Sequence, residues 1–169
     1  MPGPQKLETE RLILRPPTLA DAGAIAALLD DFEVVRWLSR VPWPYGEDDA
    51  RYFLTEVAPK EHVWAIEARG GGLVGVIGFS PGEDAALDIG YWIGRRFWGQ
   101  GYATEAGRAA IGHARAAWPE ARLTARCFVG NDASARVLTK LGFIEVGRAR
   151  TRTLALDAEV ETMTLAFGG

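Results

Sequence analysis

The sequence predicts an α+β domain in which a central, mostly antiparallel sheet of about seven strands is flanked by about four helices. Three observations lead there. Residues 63–93 hold three strand-like runs separated only by Gly70-Gly71-Gly72 and Ser80-Pro81-Gly82-Glu83, links too short for a helical crossover, so the runs form an antiparallel meander. Residues 102–118 change to a helical period. At 169 residues, 48% hydrophobic and 24% charged, the chain suits one globular domain over residues 1–169, with residues 1–6 as a flexible N-terminal extension.

The elements follow in order. Residues 11–15 alternate apolar and polar side chains and open the sheet. Thr18-Leu19-Ala20-Asp21 has the pattern of a helix N-terminus, and Ile25, Leu28 and Leu29 give the following helix one apolar face. Phe32, Val35, Trp37 and Leu38 continue at helical spacing until Pro42 and Pro44 stop it. Glu47-Asp48-Asp49 starts another helix, which carries Tyr52, Phe53 and Val57 up to Pro59. Residues 63–68, 73–79 and 85–93 are the meander. In the helix from Tyr102 to Trp118, Ala103, Ala106, Ala110, Ala114 and Ala117 line a narrow face of small residues. Gly107 and Gly112 each cost such a helix about 1 kcal/mol relative to alanine, which points to close packing on a sheet. Residues 123–129 alternate as a strand, and Asn131 is placed to cap a short helix with Ala133, Val137, Leu138 and Leu141 as its apolar positions. Gly142 falls where a left-handed cap ends that helix, and residues 144–154 and 159–167 close the chain as a hairpin.

Composition narrows the function. A net charge of −3, a pI near 5.5 and the lack of a basic stripe with interleaved aromatics argue against nucleic acid as the main partner. The first residues lack the apolar core of a signal peptide, and no apolar run approaches the ~20 residues that span a bilayer, so the expected location is the cytoplasm with no membrane partner. Cys127 is the single cysteine, and it reads as a buried thiol in an alternating segment. His62 and His113 lack a metal-ligand spacing, so no metal is expected.

The run Trp98-Gly99-Gln100-Gly101-Tyr102-Ala103-Thr104-Glu105-Ala106 sets two glycines between a strand-like segment and a helix. Unpaired backbone N–H groups and the positive end of the helix dipole together favour a phosphate there. Simple turn geometry would use the same glycines. Residues 95–126 hold six arginines (95, 96, 108, 115, 122 and 126) against Glu105 and Glu120, an excess of guanidinium that suits a ligand with several phosphates or a solvated helix face. There is no Gly-x-x-x-x-Gly-Lys-Ser/Thr motif and no alternation of strands with helices, which argues against the other common nucleotide folds.

Two motifs coincide with this element order, and the chain resembles the GNAT superfamily of acetyl-CoA-dependent N-acetyltransferases. Arg96-Phe97-Trp98-Gly99-Gln100-Gly101 fits that family's pyrophosphate pattern of Gln or Arg, two residues, Gly, one residue, then Gly or Ala. Asn131-Asp132-Ala133-Ser134 leading to Lys140-Leu141-Gly142-Phe143 is the second, one helix and one strand later. Leu7-Glu8-Thr9-Glu10-Arg11-Leu12-Ile13-Leu14-Arg15 and Ile89-Gly90-Tyr91-Trp92-Ile93 are similar to the Rim-type branch, which includes ribosomal-protein alanine N-acetyltransferases.

The resemblance implies a splayed sheet and acetyl-CoA as the acetyl donor, with no metal. It implies that backbone N–H groups of Trp98, Gly99, Gln100, Gly101, Tyr102 and Ala103, with Arg96 and the Thr104 hydroxyl, bind the pyrophosphate. The pantetheine arm would pair with the strand edge at Trp92 and Ile93, and Asn131 would cap its helix and also bond that arm. Relatives carry a tyrosine as general acid where this chain has Leu138, which leaves Ser134 as the candidate proton donor to the leaving thiolate. Asp88 is the candidate base, the alternative being an exposed polar position on an alternating strand. Glu105 would support the helix N-terminus. Trp37, Trp43 and Tyr45, with the hairpin around Arg150 and Arg152, are the candidate walls of the acceptor groove, and core packing explains the aromatics equally well. The implied reaction is direct attack of a primary amine in a ternary complex. The acceptor is a protein N-terminus or a small amine, the alternative being a non-catalytic acyl-CoA-binding module. The resemblance also allows a homodimer.

Overall fold

Among the described residues, one sheet of eight strands runs through the molecule. In chain order the elements are β1 (Leu7–Glu8), β2 (Leu12–Arg15), α1 (Ala22–Leu29), α2 (Phe32–Val35), α3 (Glu47–Tyr52), β3 (His62–Ala68), β4 (Gly72–Pro81), β5 (Leu87–Ile93), α4 (Tyr102–Ala117), β6 (Leu123–Phe128), α5 (Asp132–Lys140), β7 (Phe143–Thr153) and β8 (Ala158–Phe167). The strands lie in the order β1-β2-β3-β4-β5-β6-β8-β7, and every neighbouring pair is antiparallel except β5 and β6. This computed structural model describes residues 3–169, so Met1 and Pro2 of the expected N-terminal extension lie outside the described residues. Within that extension the Gln5 carbonyl accepts the indole N–H of fully buried Trp64 at 2.7 Å.

The sheet separates two apolar cores. Its alternate strand residues point to opposite faces, so Leu87, Ile89 and Ile93 of β5 pack with Ala106, Ala110 and Ala114 of α4 and Leu138 of α5, while Trp92 packs with Val63 and Val76 against α1 and α3. Ala106, Ala110 and Ala114 are fully buried, as the small-residue face requires for a helix lying close on a sheet. Gly107 packs closely too, but on the end of α5 rather than on the sheet, since a Cβ there would meet Leu141 Cδ1 at 2.5 Å. Gly112 does not: it is exposed and a Cβ would meet nothing within 4 Å, so close packing accounts for one of the two glycines only.

Several elements depart from the sequence expectation for local reasons. β1 is an eighth strand, two residues long and too short to show a period, pairing Leu7 with Leu14 and Glu8 with Ile13. α1 is preceded by a 3-10 turn, Leu19–Asp21, which Asp21 secures by accepting the Thr18 N–H at 2.7 Å and an ion pair from Arg15 at 2.8 Å. Trp37 and Leu38 fall beyond α2. The helix expected through Pro59 is α3 followed by a π-helical turn, Phe53–Val57, and a 3-10 turn, Ala58–Lys60. β5 begins at Leu87 rather than 85 because Asp84 and Ala85 hold left-handed φ values of 50° and 59°, which end a strand. Among the described residues no helix is long and apolar enough to cross a membrane.

Candidate active site

β5 ends at Ile93 and a 3-10 turn, Arg95–Phe97, carries the chain to Gly99 and Gly101, whose φ values of +74° and +79° are left-handed. Such backbone is open to glycine and strained for a β-branched residue. Gly101 caps α4, where the first intrahelical bond is made by the Glu105 N–H to the Gly101 carbonyl at 3.1 Å and no side chain caps the helix. The N–H groups of Tyr102, Ala103 and Thr104 therefore precede the ladder and point along the helix axis, toward an anion if one is present. The Trp98 N–H is not among them: it donates to Arg95 O at 3.1 Å, while the Trp98 indole donates to Ile93 O at 2.7 Å. Trp98 thus uses both donors to shape the loop.

The loop is braced from the turn between β1 and β2. Glu105 accepts from the Thr9 hydroxyl at 2.7 Å, the Arg11 N–H at 2.8 Å and Arg11 Nε at 2.7 Å. Arg11 Nη1 then donates to Gln100 O at 2.8 Å, between the two glycines, and its guanidinium lies 4.8 Å from the centre of the Tyr102 ring. Burial raises the Glu105 carboxyl, but the Thr9 and Arg11 hydrogen bonds outweigh that and hold it below the usual carboxylate value. Glu105 is therefore a charged strut between strand and helix.

Beyond the loop the sheet splays. β5 and β6 pair only through Leu87 with Leu123, Asp88 with Thr124 and Ile89 with Ala125. From Gly90 onward β5 pairs with β4 alone, while Arg126, Cys127 and Phe128 of β6 turn to β8. The diverging edges open a cleft of about 1380 Å³, lined by the loop, α5, β5, β6 and the α1–α3 region. That is ample for one extended ligand meeting another.

On the α4–α5 side of the splay, Asn131 Oδ1 accepts the Ser134 N–H at 3.2 Å, as an N-cap does. This cap sets Ser134 on the first turn of α5, lining the cleft, where its Oγ lies 2.8 Å from the Tyr91 hydroxyl of β5. Burial pushes the Tyr91 phenol up to about 12, against the lowering effect of Ser134, so it stays protonated at neutral pH. Leu138 is 1% exposed and belongs to the core.

On the opposite side stands Asp88, which lines the cleft and accepts the Thr124 hydroxyl at 3.0 Å, with Arg126 Nε 3.9 Å away. Burial raises its pKa by more than Thr124, Arg126 and Arg40 lower it. The walls here come from far apart in the chain: Trp37, Leu38, Val41, Tyr45, Phe53 and Leu154. The β7–β8 turn is fastened over them, with the Leu154 N–H donating to Ser39 O at 3.0 Å and Thr153 Oγ1 to Leu38 O at 3.4 Å.

Most residues singled out in the sequence meet at this cleft. Asp88, Trp92, Ile93, Trp98, Gly99, Gly101, Tyr102, Ala103, Thr104, Asn131 and Ser134 all line it, and Arg96 and Gln100 do not. Arg96 lies 4.8 Å over the Phe97 ring, and Gln100 is exposed. Half of the arginine excess is engaged away from the loop. Arg122 pairs with Asp84, Arg126 with Glu83 and Asp88, and Arg115 lies over Phe167. Of the proposed acceptor walls, Trp37 and Tyr45 line the cleft. Trp43 packs instead on Phe32 with ring centres 5.5 Å apart, and Arg150 and Arg152 pair with Glu159 and Asp157 on exposed strand faces. Sequence reasoning passed over Tyr91, although strand alternation puts it on the face opposite Trp92 and Asp88. It also passed over Leu154, which no local signal could place.

Residues 11–144 match the family model described as an acetyltransferase (GNAT) domain. The uncharacterized N-acetyltransferase YoaA of Bacillus subtilis is 34% identical over 151 residues, 85% of each chain. Among solved structures, a putative acetyltransferase from T. thermophilus superposes with a TM-score of 0.83 at 28% identity, covering 96% of this chain and 88% of that one. A ribosomal-protein-S5-alanine acetyltransferase from Vibrio fischeri superposes with a TM-score of 0.80 at 18% identity, covering 96% and 95%. The chain belongs to the GNAT family of acetyltransferases, whose donor is acetyl-CoA, and is an acetyl-CoA-dependent acyltransferase with Rim-type proteins among its structural neighbours. The residues present suit that donor: uncapped N–H groups at the start of α4 for a pyrophosphate and an unpaired β5 edge beside them for an amide-bearing arm.

Proposed function

We propose that the protein acetylates a primary amine by direct attack in a ternary complex, with a protein N-terminal α-amine as acceptor. The observation that carries this reading is the two-sided cleft. A phosphate-type loop and Ser134 lie at one side of the splay, and Asp88 with an apolar chamber lies at the other, so donor and acceptor can meet through the sheet. Acetyl-CoA supplies the acetyl group as a thioester, whose carbonyl carbon bonds to the nitrogen and whose sulfur departs with the electron pair.

Within this reading the N–H groups of Gly99, Gly101, Tyr102 and Ala103 and the Thr104 hydroxyl hold the pyrophosphate, and the Trp92–Ile93 edge and Asn131 orient the arm. Asp88 takes a proton from the incoming ammonium, directly or through water, and its raised pKa brings its basicity closer to neutrality. Ser134 gives a proton to the sulfur.

The acceptor side favours a single amine on an apolar body over a polycation. Its carboxylates other than Asp88 are already engaged: Glu61 by Arg40 at 2.7 Å and Asp49 by the Gly46 N–H at 2.8 Å. The likeness to an S5-alanine acetyltransferase supports a peptide N-terminus. The fastening of the β7–β8 turn onto Ser39 favours the second reading, a small amine held in a roofed chamber. Panels of peptides and of small amines, read by release of free CoA thiol, separate the two. Turnover confined to amino acids, polyamines or aminoglycosides would remove the protein acceptor, and acetyl-CoA binding with no turnover on either panel would leave only a binding module.

A further inference from the structure

The bond between Tyr91 and Ser134 joins the two walls of the splay. At 2.8 Å it links a strand residue to the first turn of α5, across the gap where β5 no longer pairs with β6. A serine hydroxyl carries one proton and two lone pairs on a freely rotating bond, so what it donates to depends on what it already accepts from. The phenol is the stronger acid of the two and hence the better donor. It remains protonated at neutral pH. The Cys127 thiol lies 3.5 and 3.6 Å from the Asn131 and Phe128 carbonyls, and its sulfur, also within hydrogen-bonding reach of Ser134, is the acceptor that a leaving sulfur must displace for the serine proton.

We propose that Tyr91 is the positioning residue for Ser134: its hydroxyl donates into Oγ, so that the serine's single proton turns away from β5 and into the cleft toward the leaving sulfur. This rests on the Ser134 role given above. Tyr91 suits the task because it is packed against the α4–α5 core from a strand flanked by β4 along its length, which holds the phenol still. As the C–S bond breaks, its electron pair and the Ser134 proton both pass to sulfur. The serine oxygen is reprotonated from cleft water, and the proton shed by the amine nitrogen closes the balance.

The test is a double-mutant cycle with Tyr91→Phe, Ser134→Ala and the pair, each measured for kcat, KM for acetyl-CoA, CoA affinity and melting temperature, with turnover normalised to the CoA-binding fraction so that a poorly folding variant is still read. Tyr91→Phe should lower kcat roughly tenfold at unchanged KM and CoA affinity, and the double variant should turn over no more slowly than Ser134→Ala alone, since the phenol acts only through the serine. A Ser134→Ala variant with wild-type kcat would overturn both the serine's role and this inference. If Ser134→Ala is slow, the serine's role stands, and either wild-type kcat in Tyr91→Phe or additive losses in the pair would overturn the inference alone.

Discussion

The two sides of the cleft are built on different principles. On the proposed donor side the groups open to a ligand are main-chain N–H groups of one short stretch, Tyr102 to Thr104, oriented by left-handed glycines and a helix start. On the acceptor side they are side chains from positions as distant as Trp37, Asp88 and Leu154, brought together by a fastened hairpin and the crossing of the sheet. The contrast teaches that an anion site made of backbone is carried by local conformation, whereas a chamber made of side chains is carried by contacts distant in sequence.

If the contrast is correct, damage on one side should leave the other intact. The largest effect is expected from Asp88→Asn, which removes the base: kcat/KM should fall about 100-fold, on the scale of general base catalysis, with acetyl-CoA affinity unchanged by calorimetry. The wild-type pH–rate profile should show an acid limb above the ordinary carboxylate range, and the variant should lose it. Because burial raises the Asp88 pKa, the native state binds more protons than the unfolded chain between the two values. That contribution to stability is present at low pH and is lost as pH rises through the folded pKa. Asp88→Asn should therefore melt higher than wild type at neutral pH, with the advantage vanishing under acid; an equal melting temperature at both pH values would remove the burial argument.

Next in size is Gly101→Val on the donor side. A branched residue at φ +79° is strained by ~1–3 kcal/mol, so acetyl-CoA affinity should fall ~5–100-fold. The acceptor KM should not move; a matching loss there would mean that the two sides are not separable. Arg11→Ala, which removes the guanidinium bonds to Gln100 and Glu105, should weaken acetyl-CoA roughly fivefold by isothermal calorimetry, about 1 kcal/mol for a lost charge-assisted brace. An unchanged affinity would show that the loop holds its shape without the Arg11 brace.

The smallest effect sharpens the picture inside α4. Gly112→Ala should stabilise the protein by up to about 1 kcal/mol, a rise of ~2–4 °C in Tm, because the site is open. Gly107→Ala should destabilise it, because the new methyl meets Leu141. If both variants were stabilised, α4 would not sit as close to α5 as this packing requires.

Legibility followed the same division. The Gly99-Gln100-Gly101 turn, the α4 period and the Asn131 cap depend on φ preferences and spacing within a few residues, and each is found where the sequence placed it. Trp43, Arg150 and Arg152 were misplaced because an aromatic or an arginine has the same local signature whether it lines a cleft or pairs elsewhere. The arginine excess divides between its two readings: Arg95 and Arg96 flank the loop, whereas Arg122 and Arg126 lie beside Glu83, Asp84 and Asp88.

By itself the sequence determined the α+β class, the element order and the phosphate-type loop, because alternation, helical period, caps and glycine conformation are properties of short stretches of chain. Only the tertiary structure decided where β5 and β6 part, that Tyr91 meets Ser134 across that gap, that Arg11 braces the loop and that Leu154 roofs the acceptor side. Each joins residues tens of positions apart, and no local periodicity encodes which distant partner a buried strand edge or side chain will find.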